Sequence, residues 1–208
     1  MVVSMTITSV EKLKNKNMVR VFIDNEYSFT IPTEYYLKNH LYENTEISEE
    51  QLSHIRGRIL VEAAKEKAIR FLTIKDRSQE EVINKLKDAG FDSNTAQKAA
   101  EELKAIGYLD DTRFALKYIN DRIRTKALSR RAIAFELQRK GLDPEIIEKA
   151  LSEFEIDDFE VALREAKRKF GKYDMSDEKT AQRVYRFLTH RGFSHEISVK
   201  AIRTMKLD

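Results

Sequence analysis

The sequence predicts a mainly α-helical chain: a tandem array of three three-helix repeats forming a curved solenoid, preceded by a small N-terminal β-hairpin or three-stranded sheet. Three observations carry this. First, helix-opening residues recur at Ser78, Ser129 and Thr180, each 51 residues apart, and helix-closing glycines recur at Gly90, Gly141 and Gly192. Second, the apolar pairs Val82/Leu86, Ile133/Leu137 and Val184/Leu188 keep the same spacing, four apart and so on one helix face. Third, the first thirty residues are β-branched and aromatic in short runs, unlike the rest. A fixed period filled by helices describes units that bury their apolar faces against neighbours.

Taken in order, Met18–Ile23 and Tyr27–Ile31 flank Asp24-Asn25-Glu26, a hairpin signature because Asp and Asn tolerate turn conformations. Thr6–Glu11 supplies a third strand through the polar Lys12–Asn17 loop. Pro32 ends the last strand by removing a donor, and Tyr35–Leu41 reads as a short helix. A sheet this small is marginal alone and should dock on the helices that follow. Ser48-Glu-Glu-Gln is a capping box opening a long helix to about Lys75, with a break near Gly57. Its inner face holds Ile59, Ala63, Ala64, Ala68 and Leu72.

The repeats then read as helices over 59–75, 79–89 and 93–105; 111–124, 130–140 and 144–155; 158–172, 179–190 and 195–206. A second cap follows each glycine (Asp92, Asp143, Ser194), and Pro144 suits a first helical position. The acidic pairs Asp110/Asp111 and Asp157/Asp158 stand where helices begin, so capping is their simplest role. The implied division is 1–47 for the β-rich extension, 48–107 for the long helix and first repeat, 108–156 for the second and 157–208 for the third.

Composition narrows the function classes. Charged residues make up 35% of the 208 and cysteine is absent, which excludes disulfides and thiolate chemistry. No apolar run approaches membrane-spanning length, and Met1–Val10 lacks the basic-then-apolar order of a signal peptide, so the expectation is a cytoplasmic protein without membrane contact. Net charge is −2 over 1–57, +2 over 58–125 and +3 over 126–208, a mild C-terminal basic bias. There is no phosphate-binding glycine loop, no nucleophile elbow and no third ligand near His190 and His195. An enzyme is not expected, nor a cofactor or metal.

The informative surface is the outward face of each middle helix. With Ile133 and Leu137 inward, Arg131, Phe135 and Arg139 fall together on the opposite side. The matching positions of the third repeat are Gln182, Arg186 and His190; Arg130, Lys140, Arg183 and Arg191 lie nearby, and Lys167, Arg168 and Lys169 add charge from a neighbouring helix. Two readings stand: Phe135 packs on an adjacent repeat while the charges solvate the surface, or the face contacts an acidic partner, phosphate or carboxylate.

The segments GYLDDTRFA at 107–115 and SRRAIAFELQRKG at 129–141, with three repeats at this spacing, resemble the RecX family, regulators of the RecA recombinase. The likeness covers about 60–206, and the β-rich extension resembles that of members from low-GC Gram-positive bacteria. It implies a regulator of homologous recombination and DNA repair that binds the RecA filament and inhibits its recombinase, ATPase and coprotease activities. Single- or double-stranded DNA is a further implied partner, and a monomer is expected. Among the matched positions, Tyr108 and Phe114 read as core, the aspartates as caps and Gly141 as a stop. One departure is Ala127-Leu128, where relatives often carry Pro or Gly. Two competing classes remain: a nucleic-acid-binding module without a protein target, and an enzyme whose site assembles across repeats.

Overall fold

The structure, a computed structural model, describes residues 4–14 and 16–207. Met1–Val3 of the N-terminal stretch and Asn15 of the first loop lie outside them. Two compact units divide the chain, Met1–Asp110 and Asp111–Asp208.

In the first unit, strands β1 (Ser4–Lys12), β2 (Met18–Ile23) and β3 (Glu26–Pro32) are antiparallel neighbours. Asp24 and Asn25 turn the β2–β3 hairpin with φ of 50° and 68°, the left-handed geometry that matches strand twist. The turn is tied back to β1: Thr6 N–H donates to Asp24 Oδ1 and Asn25 N–H to Thr8 Oγ1, both at 2.9 Å. A short helix α1 (Thr33–Lys38) follows. The expected three strands become four, in the order β3-β2-β1-β4, because β4 (Glu46–Ser48) pairs with Ser4–Thr6 of β1. Three residues are too few to show an alternating pattern, so only the partner strand defines β4.

Ser48 opens α2 (Glu49–His54) with the expected capping box. The break near Gly57 is a π-helical turn, Ile55–Ile59, leading without a gap into α3 (Leu60–Ile74). Lys98 Nζ donates to the Gly57 carbonyl there, at 3.2 Å. Helices α4 (Gln79–Ala89) and α5 (Ser93–Ala105) complete the first repeat, capped by Ser78 and Asp92. One core joins Ile7, Val21, Phe29 and Ile31 of the sheet to Leu60, Ala64, Ala68, Leu86 and Leu103 of the helices, so the sheet does dock. Tyr108, expected in the core, is half exposed. After Gly107 turns with φ +79°, Leu109 takes the buried position instead.

The second unit holds α6 (Asp111–Thr125), α7 (Arg130–Gln138), α8 (Pro144–Ser152), α9 (Asp158–Phe170), α10 (Glu178–His190) and α11 (His195–Leu207). Ser129 and Asp143 cap α7 and α8 as expected, and Ser194 Oγ accepts from Ile197 N–H at the start of α11. Thr180 does not cap. Asp177, three residues earlier, accepts from the Lys179 and Thr180 N–H groups, and the Thr180 hydroxyl donates to it. The acidic pair at 157–158 divides its work. Asp157 caps its own helix, whereas Asp158 accepts from the Arg130 N–H at 2.8 Å and so serves the first turn of α7.

That bond is part of a junction between the second and third repeats. Ser129 N–H donates to the Arg191 carbonyl at 3.2 Å. Ala127 is buried among Val161, Ala162, Val184 and Leu188 of the third repeat rather than in its own. It does so at φ +46°, a left-handed conformation that Gly adopts at less cost. The unusual residue before α7 therefore stands where the backbone itself is unusual.

Candidate partner-binding surfaces

Helix α7 is nine residues long, and its phase is set by Ile133 and Leu137, both fully buried. The opposite side carries Arg131, Phe135 and Arg139, all exposed, with Phe135 at 59%. More than half of the Phe135 side chain is thus left uncovered by the second and third repeats. Covering such a ring is worth about 1.5–3 kcal/mol when complete. Among the described residues neither the Arg131 nor the Arg139 guanidinium forms an ion pair or hydrogen bond. The result is an apolar centre between two cations, of which Arg131 is within electrostatic reach of the Asp158 carboxyl.

Neighbouring cations are engaged differently. The Arg130 guanidinium turns toward α8, donating to the Leu151 carbonyl (3.2 Å) and to Glu148 (3.1 Å). Its backbone meets Asp158, whose carboxyl burial pushes above the usual range, against the opposing pull of the Arg130 N–H. Lys140 lies 5.4 Å from the Tyr118 ring and 5.9 Å from that of Phe114. Beneath it, Tyr118 Oη and Arg122 Nε both donate to Glu136 Oε2 at 2.6 Å. Burial works against the ionised Glu136, but those two bonds prevail and hold its carboxyl below the ordinary range. Burial and the Glu136 bond push Tyr118 up to about 12, so it remains a donor. Arg130 and Lys140 are therefore first of all braces.

A second cationic surface lies between α9 and α10. Lys169, Arg183, Arg186, His190 and Arg191 line a groove of about 580 Å³ together with Phe170 and Phe187. Lys169 Nζ stands 4.3 Å and Arg191 Cζ 4.5 Å from the Phe187 ring centroid, close enough for cation–π attraction. Arg191 is also held by Glu165 at 3.3 Å and by the Lys126 carbonyl. Glu165 is buried, and Arg168 pairs with it from the other side at 2.7 Å. Arg183 sits 5.6 Å from the Tyr173 ring. The run 167–169 thus separates: Lys169 faces the groove and Arg168 neutralises Glu165. Lys167 lines a different hollow beside Gly171, Tyr173 and Met205.

Sequence phase brought out the arginines but not Phe187 or Glu165, which organise them. Phe187 follows Val184 by three and looks like ordinary core, and Glu165 looks like any helix-surface acid. Among the described residues no three His, Asp or Glu side chains gather as metal ligands, and no helix is long and apolar enough to cross a membrane.

Fold and surface together define a helical-repeat protein whose chemistry-bearing groups are cationic and face outward. Its resemblance is specific. The chain matches the models of the first, second and third three-helix domains of RecX over 64–103, 110–151 and 155–202, and of the RecX regulatory protein's N-terminal domain over 5–48. It is 30% identical to the regulatory protein RecX of Caldanaerobacter subterraneus subsp. tengcongensis, covering 95% of this chain and 98% of that one. It is also 30% identical to the Bacillus licheniformis protein of that name, over 95% and 76% of the two. A crystal structure of a regulatory protein RecX shares the fold at a TM-score of 0.61 and 23% identity, across 93% of this chain and 96% of that one. RecX from Lactobacillus salivarius does so at 0.61 and 20%, across 72% and 98%. The chain belongs to the RecX family of regulatory proteins.

Proposed function

We propose that this protein regulates homologous recombination by binding a RecA filament and inhibiting its recombinase, ATPase and coprotease activities, acting as a cytoplasmic monomer without enzymatic activity of its own. Membership of the RecX family supports the class of function. The observation that carries the location is the outward face of α7, where an exposed Phe135 stands between two arginines with no ion-pair partner. An aromatic anchor flanked by arginines is the composition found at energetic centres of protein interfaces. The repeats, divided at 107/108 and 156/157, would each add a weak contact along a polymer, and tethering makes such contacts cumulative.

The test is ATP hydrolysis by RecA on single-stranded DNA, titrated with this protein at two salt concentrations. Inhibition well below one molecule per recombinase subunit, little changed by salt, is the expected result. Phe135→Ala should raise the concentration needed about tenfold or more, the cost of an interface anchor. It should leave folding stability within about 0.5 kcal/mol, as exposed positions do. Inhibition only after the DNA is saturated, and its loss at higher salt, would show DNA sequestration and refute the reading.

A further inference from the structure

We propose that the groove between α9 and α10 is a binding site for a compact polyphosphate anion, such as the triphosphate of a free nucleotide, recognised by its phosphates alone. The site concerns the isolated chain and does not depend on the recombinase reading.

Four permanent cations, Lys169, Arg183, Arg186 and Arg191, converge on one hollow together with His190. Its volume of about 580 Å³ lies in the range of small-molecule sites. Two of the cations are held in place. Lys169 and Arg191 are seated on the Phe187 ring, and Arg191 is further fixed by the buried Glu165 and the Lys126 carbonyl. Arg183 leans on Tyr173, while the Arg186 guanidinium is exposed and forms no ion pair or hydrogen bond among the described residues. Guanidinium groups held in place lose less entropy when they grip a phosphate, and their planar donors match its oxygens in pairs. No carboxylate is among the described lining residues, and Glu165, which holds Arg191, is also paired with Arg168, so the hollow keeps its positive excess.

Two features separate this site from one that tracks a nucleic-acid strand. Strand-binding grooves combine charge with open aromatic faces on which bases stack. Here the Phe187 ring already carries two cations, and Phe170 is buried with its ring edge-on to Phe187 at 5.4 Å. The charge is also concentrated on the facing sides of two helices instead of being spread along a path. Phosphates are served and bases are not.

Calorimetric titration of the full chain with sodium tripolyphosphate, with ATP, and with a single-stranded oligonucleotide tests this. Tripolyphosphate and ATP should bind with similar affinity, and Arg183→Gln/Arg186→Gln should weaken both at least tenfold. The control pair Arg131→Gln/Arg139→Gln should change neither. Both pairs alter exposed side chains, so helical circular dichroism should be unchanged. In a second readout, tripolyphosphate should raise the unfolding temperature of the parent protein but not of Arg183→Gln/Arg186→Gln. Absence of tripolyphosphate binding, or equal weakening in the two double variants, would overturn the proposal. So would ATP binding far tighter than tripolyphosphate, which would mean that a base is read. Binding of the oligonucleotide alone, lost in Arg183→Gln/Arg186→Gln, would assign the groove to a strand and overturn it too.

Discussion

Gly192 and Gly107 share a backbone conformation but not an environment, and comparing Gly192→Ala with Gly107→Ala separates the two contributions. Both residues have left-handed φ, +86° and +79°. An L side chain in that region costs about 1–2 kcal/mol. Replacing Gly also restricts the unfolded chain, which returns about 0.4–1 kcal/mol. At Gly107 a Cβ would meet nothing within 4 Å, so the balance should be a loss of no more than about 1.6 kcal/mol. At Gly192 it would stand 2.5 Å from the Ala132 Cβ and 2.6 Å from the Ser129 Oγ. Neither neighbour is the free end of a flexible chain: Ser129 is fully buried, and its Oγ accepts the Ala132 N–H at 3.1 Å. The turn must shift, adding an overpacking cost of about 1–3 kcal/mol. The expected total at Gly192 is therefore about 1–5 kcal/mol, a drop in urea midpoint on the order of 1 M. Urea unfolding followed by circular dichroism, with each variant read on the transition of its own unit, measures this. Equal losses at the two positions would refute the argument that Gly192 is required by packing.

Two further predictions concern carboxylates. Asp158→Ala should cost about 1–2 kcal/mol, because it leaves the Arg130 N–H at the start of α7 without its acceptor. Asp158→Asn, which keeps an acceptor and no longer buries a charge, should cost clearly less; thermal unfolding that ranks them in the reverse order would contradict the assignment. Glu136, with its carboxyl held below the ordinary range, contributes stability that is fully present above about pH 4.3, where an unfolded glutamate ionises. That contribution is lost as pH falls through the lower folded value. Glu136→Gln should therefore be less stable than the parent at neutral pH and approach it under acid. A stability gap that does not change with pH would show that Tyr118 and Arg122 gain nothing from its charge.

Much of the fold was legible because helix ends are local. Ser78 and Ser129 reach backbone donors three residues on, so spacing alone placed α4 and α5 at their observed ends and α7 at its observed start. The failure at Thr180 is equally local: Asp177 is an alternative acceptor one turn earlier, and a pattern built on the other repeats had no means of choosing it. The outward phase of Phe135 followed from 3.6-residue periodicity and its exposure agrees. The same reasoning could not sort the cations, because Arg130 is occupied by Glu148 and Leu151, and Arg191 by Glu165 and Lys126. Such partners lie 18 to 65 residues away in sequence.

The sequence by itself determined the helices, most of their caps and stops, the repeat and the family, since each depends on hydrogen bonds and apolar periods spanning a few residues. Tertiary structure alone decided that β4 exists, that Asp158 serves α7 instead of its own helix, that Tyr108 stays half exposed, and that Ala127 is buried with the third repeat. It also decided which cations form a hollow and which are braces. The physical reason is common to all of these. A buried carboxylate, an unpaired N–H or a cation beside a ring is worth little until a partner from elsewhere in the chain arrives, and only packing brings that partner there.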